Sequence, residues 1–322
     1  MKKQLNPPLF FQKLETLLRR LPNQHVKRAT IENQLGKFRS GMMGEQSLNY
    51  FYRYLPNNEI IFLHNIRILH MDYYFQIDTL IMTTKFFIIL EIKNYTGHLY
   101  FDDKFGQLIR STPDKKDFFE DPIQQVKRQK YHLNQILIKY NFPQIPIEPL
   151  VVISNKNSHV DCSTDYKEAL TLLIKSHKLH HKFNEFTRKH NKVLLTIKEM
   201  KKIHKQLNKL NVPYDTDILN HFEIKRGEII VGVLCLDCNN KMERKRAGWI
   251  CIKCSNYSRD AHVAALKDYG LLISNQITNK QCKEYLNLSS SDQAYYLLTS
   301  LNLPYTGTSR RTRTYHLDSL IT

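Results

Sequence analysis

Three charged residues stand in otherwise apolar ground between Gln76 and Tyr95: Asp78, Glu91 and Lys93, in the run QIDTLIMTTKFFIILEIKNY. Glu91 and Lys93 are two apart, so in an extended chain they share one face. The arms around them, Gln76–Met82 and Phe86–Lys93, are rich in β-branched and aromatic residues and flank the polar Thr83-Thr84-Lys85. That pattern predicts a β-hairpin. A turn centred between Thr84 and Lys85 sets Asp78 opposite Glu91, with Cβ atoms about 4.5–5.5 Å apart. Two carboxylates that close repel unless a proton or a cation lies between them. Oxygen donors suit a hard divalent ion, Mg²⁺ (or Mn²⁺). Lys93 beside them can help activate water and neutralise charge on a phosphate. That is the chemistry of metal-dependent phosphodiester cleavage. The plain alternative is a Glu–Lys pair at the solvated end of a hairpin. The apolar residues on both arms weigh against it, because charges there need partners.

The elements that must position these residues lie on either side. Phe10, Leu14, Leu17 and Leu18 repeat at helical spacing in a basic stretch that Pro22 ends. Gly41-Met42-Met43-Gly44-Glu45 leads into Leu48, Phe51, Tyr52 and Leu55, an amphipathic helix with Glu45 near its first turn, where an acid suits the macrodipole. Ile60–Leu63 and Ile66–Leu69 read as strand material ahead of the hairpin, and Gly97–Phe101 continues the sheet edge after it. Asp121 and Pro122 suit the cap and first position of a helix carrying Gln125 and an apolar stripe of Val126, Leu133, Ile136 and Leu137. Leu150–Ser154 is a short buried strand.

Taken in order, these motifs resemble the nuclease-related domain (NERD) family of the PD-(D/E)xK, restriction-endonuclease-like superfamily. The resemblance rests on GxxGE, QID, LEIKNYTG and the Pro-x-x-Gln helix, over roughly residues 38 to 155. It implies a mixed sheet flanked by helices and a Mg²⁺-dependent nuclease site. It further implies that Asp78 and Glu91 are metal ligands, Lys93 the catalytic lysine, Glu45 an acid from the first helix and Gln125 the helix glutamine. The chain departs from the family in having Asp121 where Asn is common before the proline, and Met42 where a first Glu often stands.

The 322 residues carry a net charge of +18, which favours a polyanionic partner. The N-terminus, with Lys2 and Lys3, has no apolar core for a signal peptide, and no stretch approaches the ~18–20 apolar residues of a membrane span. A cytoplasmic protein with no membrane partner is expected. Between Lys167 and Leu210 basic residues predominate, and Thr196–Glu199 is a capping box ahead of Met200, Ile203, Leu207 and Leu210. His177, His180, His181, His190 and His204 lack ligand spacing and read as surface residues.

Cys235, Cys238, Cys251 and Cys254 form two CxxC pairs, the donor set of a structural zinc ribbon. Cys162 and Cys282 fall outside it and read as buried thiols. The tail, from Arg259, has the order helix, helix, helix, basic hairpin. Thr278–Gln281 and Ser290–Gln293 are capping boxes, and Arg310, Arg311 and Arg313 lie in the hairpin. This resembles a winged helix-turn-helix, in which the helix from Ser291 would offer Tyr295 and Tyr296 to DNA and the hairpin arginines would meet phosphate.

The expected organisation has five segments: a basic helical segment (1–37), the nuclease-like α/β domain (38–160), a basic helical extension (161–222), the zinc ribbon (223–258) and the winged-helix-like tail (259–322). The expected function is Mg²⁺-dependent hydrolysis of DNA. A catalytically silent, nuclease-fold DNA-binding or regulatory protein, and an RNA-directed nuclease, stand as alternatives. Oligomeric state is not legible in the sequence.

Overall fold

The computed structural model describes residues 7–56, 60–246 and 248–321. Lys2 and Lys3 lie outside the described residues. The chain divides into two compact units, Lys37–Pro213 and a second made of the residues up to Gly36 together with Tyr214 onward.

Helix α1 (Leu9–Arg20) buries Phe10, Leu14 and Leu17 on one face. Helix α2 (Arg28–Ser47) corrects an expectation: it does not begin near Gly41 but runs through Gly36, Gly41 and Gly44. Glu45 therefore lies in its last turn, so the helix-start explanation of its charge fails. Glycine inside a helix costs only about 1 kcal/mol relative to alanine, and at Gly44 the missing side chain is required. A Cβ there would stand 2.7 Å from Asn94 Cβ and 2.9 Å from Ser154 Oγ.

In Lys37–Pro213, α3 (Asn49–Tyr52) is followed by β1 (Ile61–His70), β2 (Tyr73–Met82) and β3 (Phe87–Lys93). The two expected strand pieces before the hairpin are one strand, β1. Next come β4 (His98–Asp102), β5 (Gln107–Ser111), β6 (Lys116–Glu120), α4 (Pro122–Lys139), β7 (Ile147–Ile153), β8 (His159–Cys162), α5 (Lys167–Leu172), β9 (Leu173–Lys175), α6 (Leu179–Lys189) and α7 (Ile197–Leu210). The main sheet has the order β1-β2-β3-β7-β9, antiparallel through β3 and parallel from β3 to β9. Gly97 to Phe101 does not continue its edge. Gly97 has φ +94°, and β4 enters a separate sheet of order β6-β5-β4-β8.

Helices cover both faces of the main sheet. Val126, Leu133 and Ile136 of α4 and Met200, Ile203 and Leu207 of α7 pack on one side. Tyr52 of α3 and Leu179, Phe183 and Phe186 of α6 pack on the other. Strands covered on both faces lose the polar–apolar alternation, and Phe87–Ile92 and Ile147–Ile153 are buried at every residue.

One irregularity crosses β1 and β2 together. On β1 the residues joining the α4-side core are Leu63 and then Ile66 and Ile68; on β2 they are Phe75 and Ile77 and then Leu80 and Met82. Two residues, not one, separate Leu63 from Ile66 and Ile77 from Leu80, while the pairing holds at Leu63↔Leu80 and Ile66↔Ile77. His64-Asn65 and Asp78-Thr79 occupy this slip, and Asn65 takes a left-handed backbone with φ 52°, which asparagine tolerates.

In the other unit, α8 (Ile218–His221) precedes a small antiparallel sheet of β10 (Met242–Lys245), β11 (Gly248–Cys251) and β12 (Tyr257–Ser258). The rest is α9 (Ala261–Leu272), β13 (Gln276–Thr278), α10 (Asn279–Leu286), α11 (Ser291–Ser300), β14 (Tyr305–Thr306) and β15 (Thr314–His316), with strand order β13-β15-β14. Helix α1, expected in a segment of its own, packs against α9. The fully buried Arg20 joins them: its Nε donates to Asp268 Oδ2 at 2.8 Å, and its Nη1 to the carbonyl oxygens of Ile230 and Gly232 at 3.1 and 2.6 Å.

Candidate active site and metal centre

The β2–β3 pairing runs from Met82↔Phe87 to Thr79↔Leu90. One further step would set Asp78 opposite Glu91, the register read from the sequence. There the ladder stops, and Asp78 Oδ2 accepts the Ile92 amide at 2.8 Å. Ile88, Leu90 and Ile92 pack on the α6 side, while Phe87, Ile89, Glu91 and Lys93 alternate toward α4.

Helix α4 meets that face with two glutamines one turn apart. Asp121 caps the helix by accepting the Ile123 amide at 2.8 Å, and also accepts the Tyr166 hydroxyl. Gln125 Oε1 accepts Lys93 Nζ at 3.1 Å, and Gln129 Nε2 donates to Glu91 Oε2 at 2.6 Å. Lys93 Nζ also donates to Glu91 Oε1 at 2.6 Å. Both oxygens of Glu91, which is 2% exposed, are therefore engaged. Gln129 was not among the residues expected here. Its position four after Gln125 on one helix face was the available signal.

Glu45 reaches the same region from α2, and Asn65 Nδ2 donates to its Oε2 at 2.8 Å. Asn65 was also missed, because nothing in its type reveals a backbone slip. Burial pushes Glu45 up to about 7, against the pull of the Asn65 hydrogen bond and with the Glu91 charge adding to the rise. Burial likewise raises Asp78 well above the usual carboxylate range, with Glu91 and then Glu45 contributing. Burial alone would lower Lys93. The charge and hydrogen bond of Glu91, with Asp78, outweigh it, and the ammonium form is favoured.

Glu45, Asp78, Glu91, Lys93 and Gln125 thus form one connected or electrostatically coupled set. The carboxylates do not converge as a finished cage. Among the described residues, only the cysteine cluster brings three or more His, Cys, Asp or Glu ligand atoms within 4.8 Å of one another. In donor chemistry the set nonetheless fits a hard cation: acids whose mutual repulsion raises their affinity for positive charge.

The four cysteines fit a zinc ribbon. Cys235 and Cys254 sulfurs are 3.6 Å apart, Cys238 and Cys251 3.4 Å, and Cys238 and Cys254 3.5 Å. A tetrahedron with bonds of about 2.3 Å has edges of about 3.8 Å. The two knuckles repeat one hydrogen-bond pattern. Cys235 N bonds Asn240 O at 2.8 Å and Asn239 N bonds Cys235 O at 2.9 Å; Cys251 N bonds Asn256 O at 2.9 Å and Ser255 N bonds Cys251 O at 2.8 Å. Cys282 is buried as expected, whereas Cys162, at the end of edge strand β8, is half-buried. His190 is not a free surface residue. It pairs with Glu148 at 2.5 Å because the end of α6 meets buried β7.

In the tail, Thr278 makes the full capping box. Ser290 caps α11, but Gln293 takes the Ser289 hydroxyl at 3.1 Å instead of closing a second box. Tyr296 and Arg311 are exposed. Tyr295, Arg310 and Arg313 engage one another: Arg310 lies 4.3 Å over the Tyr295 ring and pairs with Asp292, and Arg313 lies 5.9 Å from Tyr295 and 4.3 Å over Tyr305.

Among the described residues, no helix is long and apolar enough to cross a membrane. No curated protein and no solved structure matches the chain. A family model described as "Nuclease-related domain" (NERD) matches residues 40–154, the span that holds α2's last turns, the β2–β3 hairpin and α4. Residues 40–154 are a nuclease-related domain of the NERD family.

Proposed function

We propose that this domain hydrolyses phosphodiester bonds of DNA with a divalent metal, Mg²⁺ or Mn²⁺. The observation that carries the proposal is the Glu91–Lys93 pair on one strand face beside Asp78 and Glu45, carboxyls whose proton affinity burial and neighbouring charge raise. Asp78 and Glu91, with Glu45, would hold the cation. When bound, it would polarise the phosphate and ease deprotonation of water. Lys93, kept charged by its acidic neighbours, acts as a hydrogen-bond donor to phosphate oxygen and not as a base. Gln125 fixes its direction through Oε1. Zn²⁺ on Cys235, Cys238, Cys251 and Cys254 is structural, because four thiolates leave no open position. The tail docks duplex DNA as a winged helix-turn-helix. Its order of helix, strand, two helices and a two-stranded hairpin supports that role, as do exposed Tyr296 and Arg311.

The test is incubation with labelled linear, nicked, branched and single-stranded DNA, and with RNA, in Mg²⁺ or EDTA. Cleavage of DNA is expected in Mg²⁺ alone, and Lys93→Met should slow it by about 10²–10³. DNA that is bound but never cut would make the domain a silent docking module, and cleavage of RNA alone would reassign the substrate.

A further inference from the structure

The carboxylate best placed to receive a cation is already occupied. Lys93 Nζ sits on Glu91 Oε1 at 2.6 Å and Gln129 Nε2 on Oε2 at 2.6 Å. This makes a two-rung ladder between β3 and α4, Glu91 with Gln129 and Lys93 with Gln125, cross-linked by the lysine. The other end of the Gln129 carboxamide is anomalous. Gln129 is 3% exposed, and its Oε1 is buried with no hydrogen-bond partner among the described residues. Flipping the amide would set that oxygen against the Glu91 carboxylate, so the orientation is forced while Glu91 is charged. A dry acceptor is unfavourable. The Lys93 ammonium and the nitrogen of the same carboxamide share one carboxylate, each on one of its oxygens.

We propose that Lys93 is a built-in competitor for the cation, holding Glu91 closed, and that Gln129 Oε1 is the acceptor to which its ammonium transfers when a divalent ion takes Glu91. This rests on the metal-dependent reading above. It makes Gln129 a positioning residue that acts through Lys93. No bond is made or broken; one ion pair is exchanged for a charge-assisted hydrogen bond that satisfies the dry oxygen.

Titration of the full-length, zinc-loaded protein with Mn²⁺, followed by calorimetry and by the electron paramagnetic resonance of free Mn²⁺, tests this without reference to activity. Removing the competitor in Lys93→Met should tighten binding about tenfold although the variant cuts far more slowly, since among the described residues Lys93 is the cation paired with Glu91. Lys93→Gln guards against misfolding of a single variant. Gln129→Met should weaken binding when Lys93 is present and leave it unchanged in the Lys93→Met background, a non-additive cycle. A merely structural glutamine would weaken both equally, and that result overturns the transfer. Unchanged or weaker binding in both Lys93 variants overturns the competition, even if the wild type binds Mn²⁺ and cuts. Absence of Mn²⁺ binding in every protein overturns the metal-dependent reading itself.

Discussion

A single missing side chain at Gly44 sets how α2 meets the sheet. Its would-be Cβ lies 2.7 Å from Asn94 Cβ, an atom fixed at the end of β3 and unable to swing away. Gly44→Ala should push the last turn of α2 outward, destabilise Lys37–Pro213 by about 1–3 kcal/mol and carry Glu45 off the site. Gly41→Ala is the control: among the described residues, nothing beyond its own helix backbone and chain neighbours lies within 4 Å of the Cβ it would add, and the change should stabilise the helix by up to about 1 kcal/mol. Thermal melts of the two variants check both signs. Asp78, Glu91 and Lys93 were legible because a two-residue period and a centred turn fix which side chains share a face. Asn65 and Gln129 were not, since one depends on a local slip and the other on which helix faces which strand.

Among the elements, the hairpin, α4 with its Asp121 cap and the boxed helix α7 followed from local pattern. The start of α2 did not, because three glycines imitate a loop until the packing that needs one of them is known. The zinc-ribbon sheet carries a testable acid sensitivity. Trp249 Nε1 donates to His262 Nδ1 at 3.4 Å, and His262 Nε2 is buried without a partner among the described residues. Burial, with the Arg244 charge adding, lowers His262 from 6.5 to about 4. The unfolded chain therefore takes up this proton near pH 6.5, while the folded one resists until about 4. Stability from the neutral ring is complete above the first value and is lost as pH falls toward the second, by about 3 kcal/mol in all. Wild type should lose stability relative to His262→Phe across that window and in no other; denaturant melts from pH 7 to 4 would reveal parallel curves if the ring plays no such part.

For the whole molecule, the five segments expected from the motifs along the chain compare with two units, one of them discontinuous. Contacts between residues more than 240 apart, such as Arg20 with Asp268, leave no periodic trace. Asp268→Ala would leave a fully buried guanidinium without its carboxylate, which should destabilise that unit by about 3–5 kcal/mol. A fragment of residues 223–322 lacks α1 altogether. It should melt well below the same segment in the full chain, and its duplex affinity should be measured only where it is folded. Equal melting temperatures would show Arg20 to be dispensable.

The discontinuous unit also has a consequence in time. On the ribosome α1 emerges first, and the residues its Arg20 engages, from Ile230 to Asp268, emerge more than two hundred positions later. Lys37–Pro213 holds its own sheets and helices and can complete itself in that interval, whereas the tail's unit cannot close until both of its pieces exist. A nascent chain halted near Pro213 would thus carry the nuclease-related domain while α1 still waits for its partner. Synthesis itself orders the two units, with Lys37–Pro213 assembled before the discontinuous one can close.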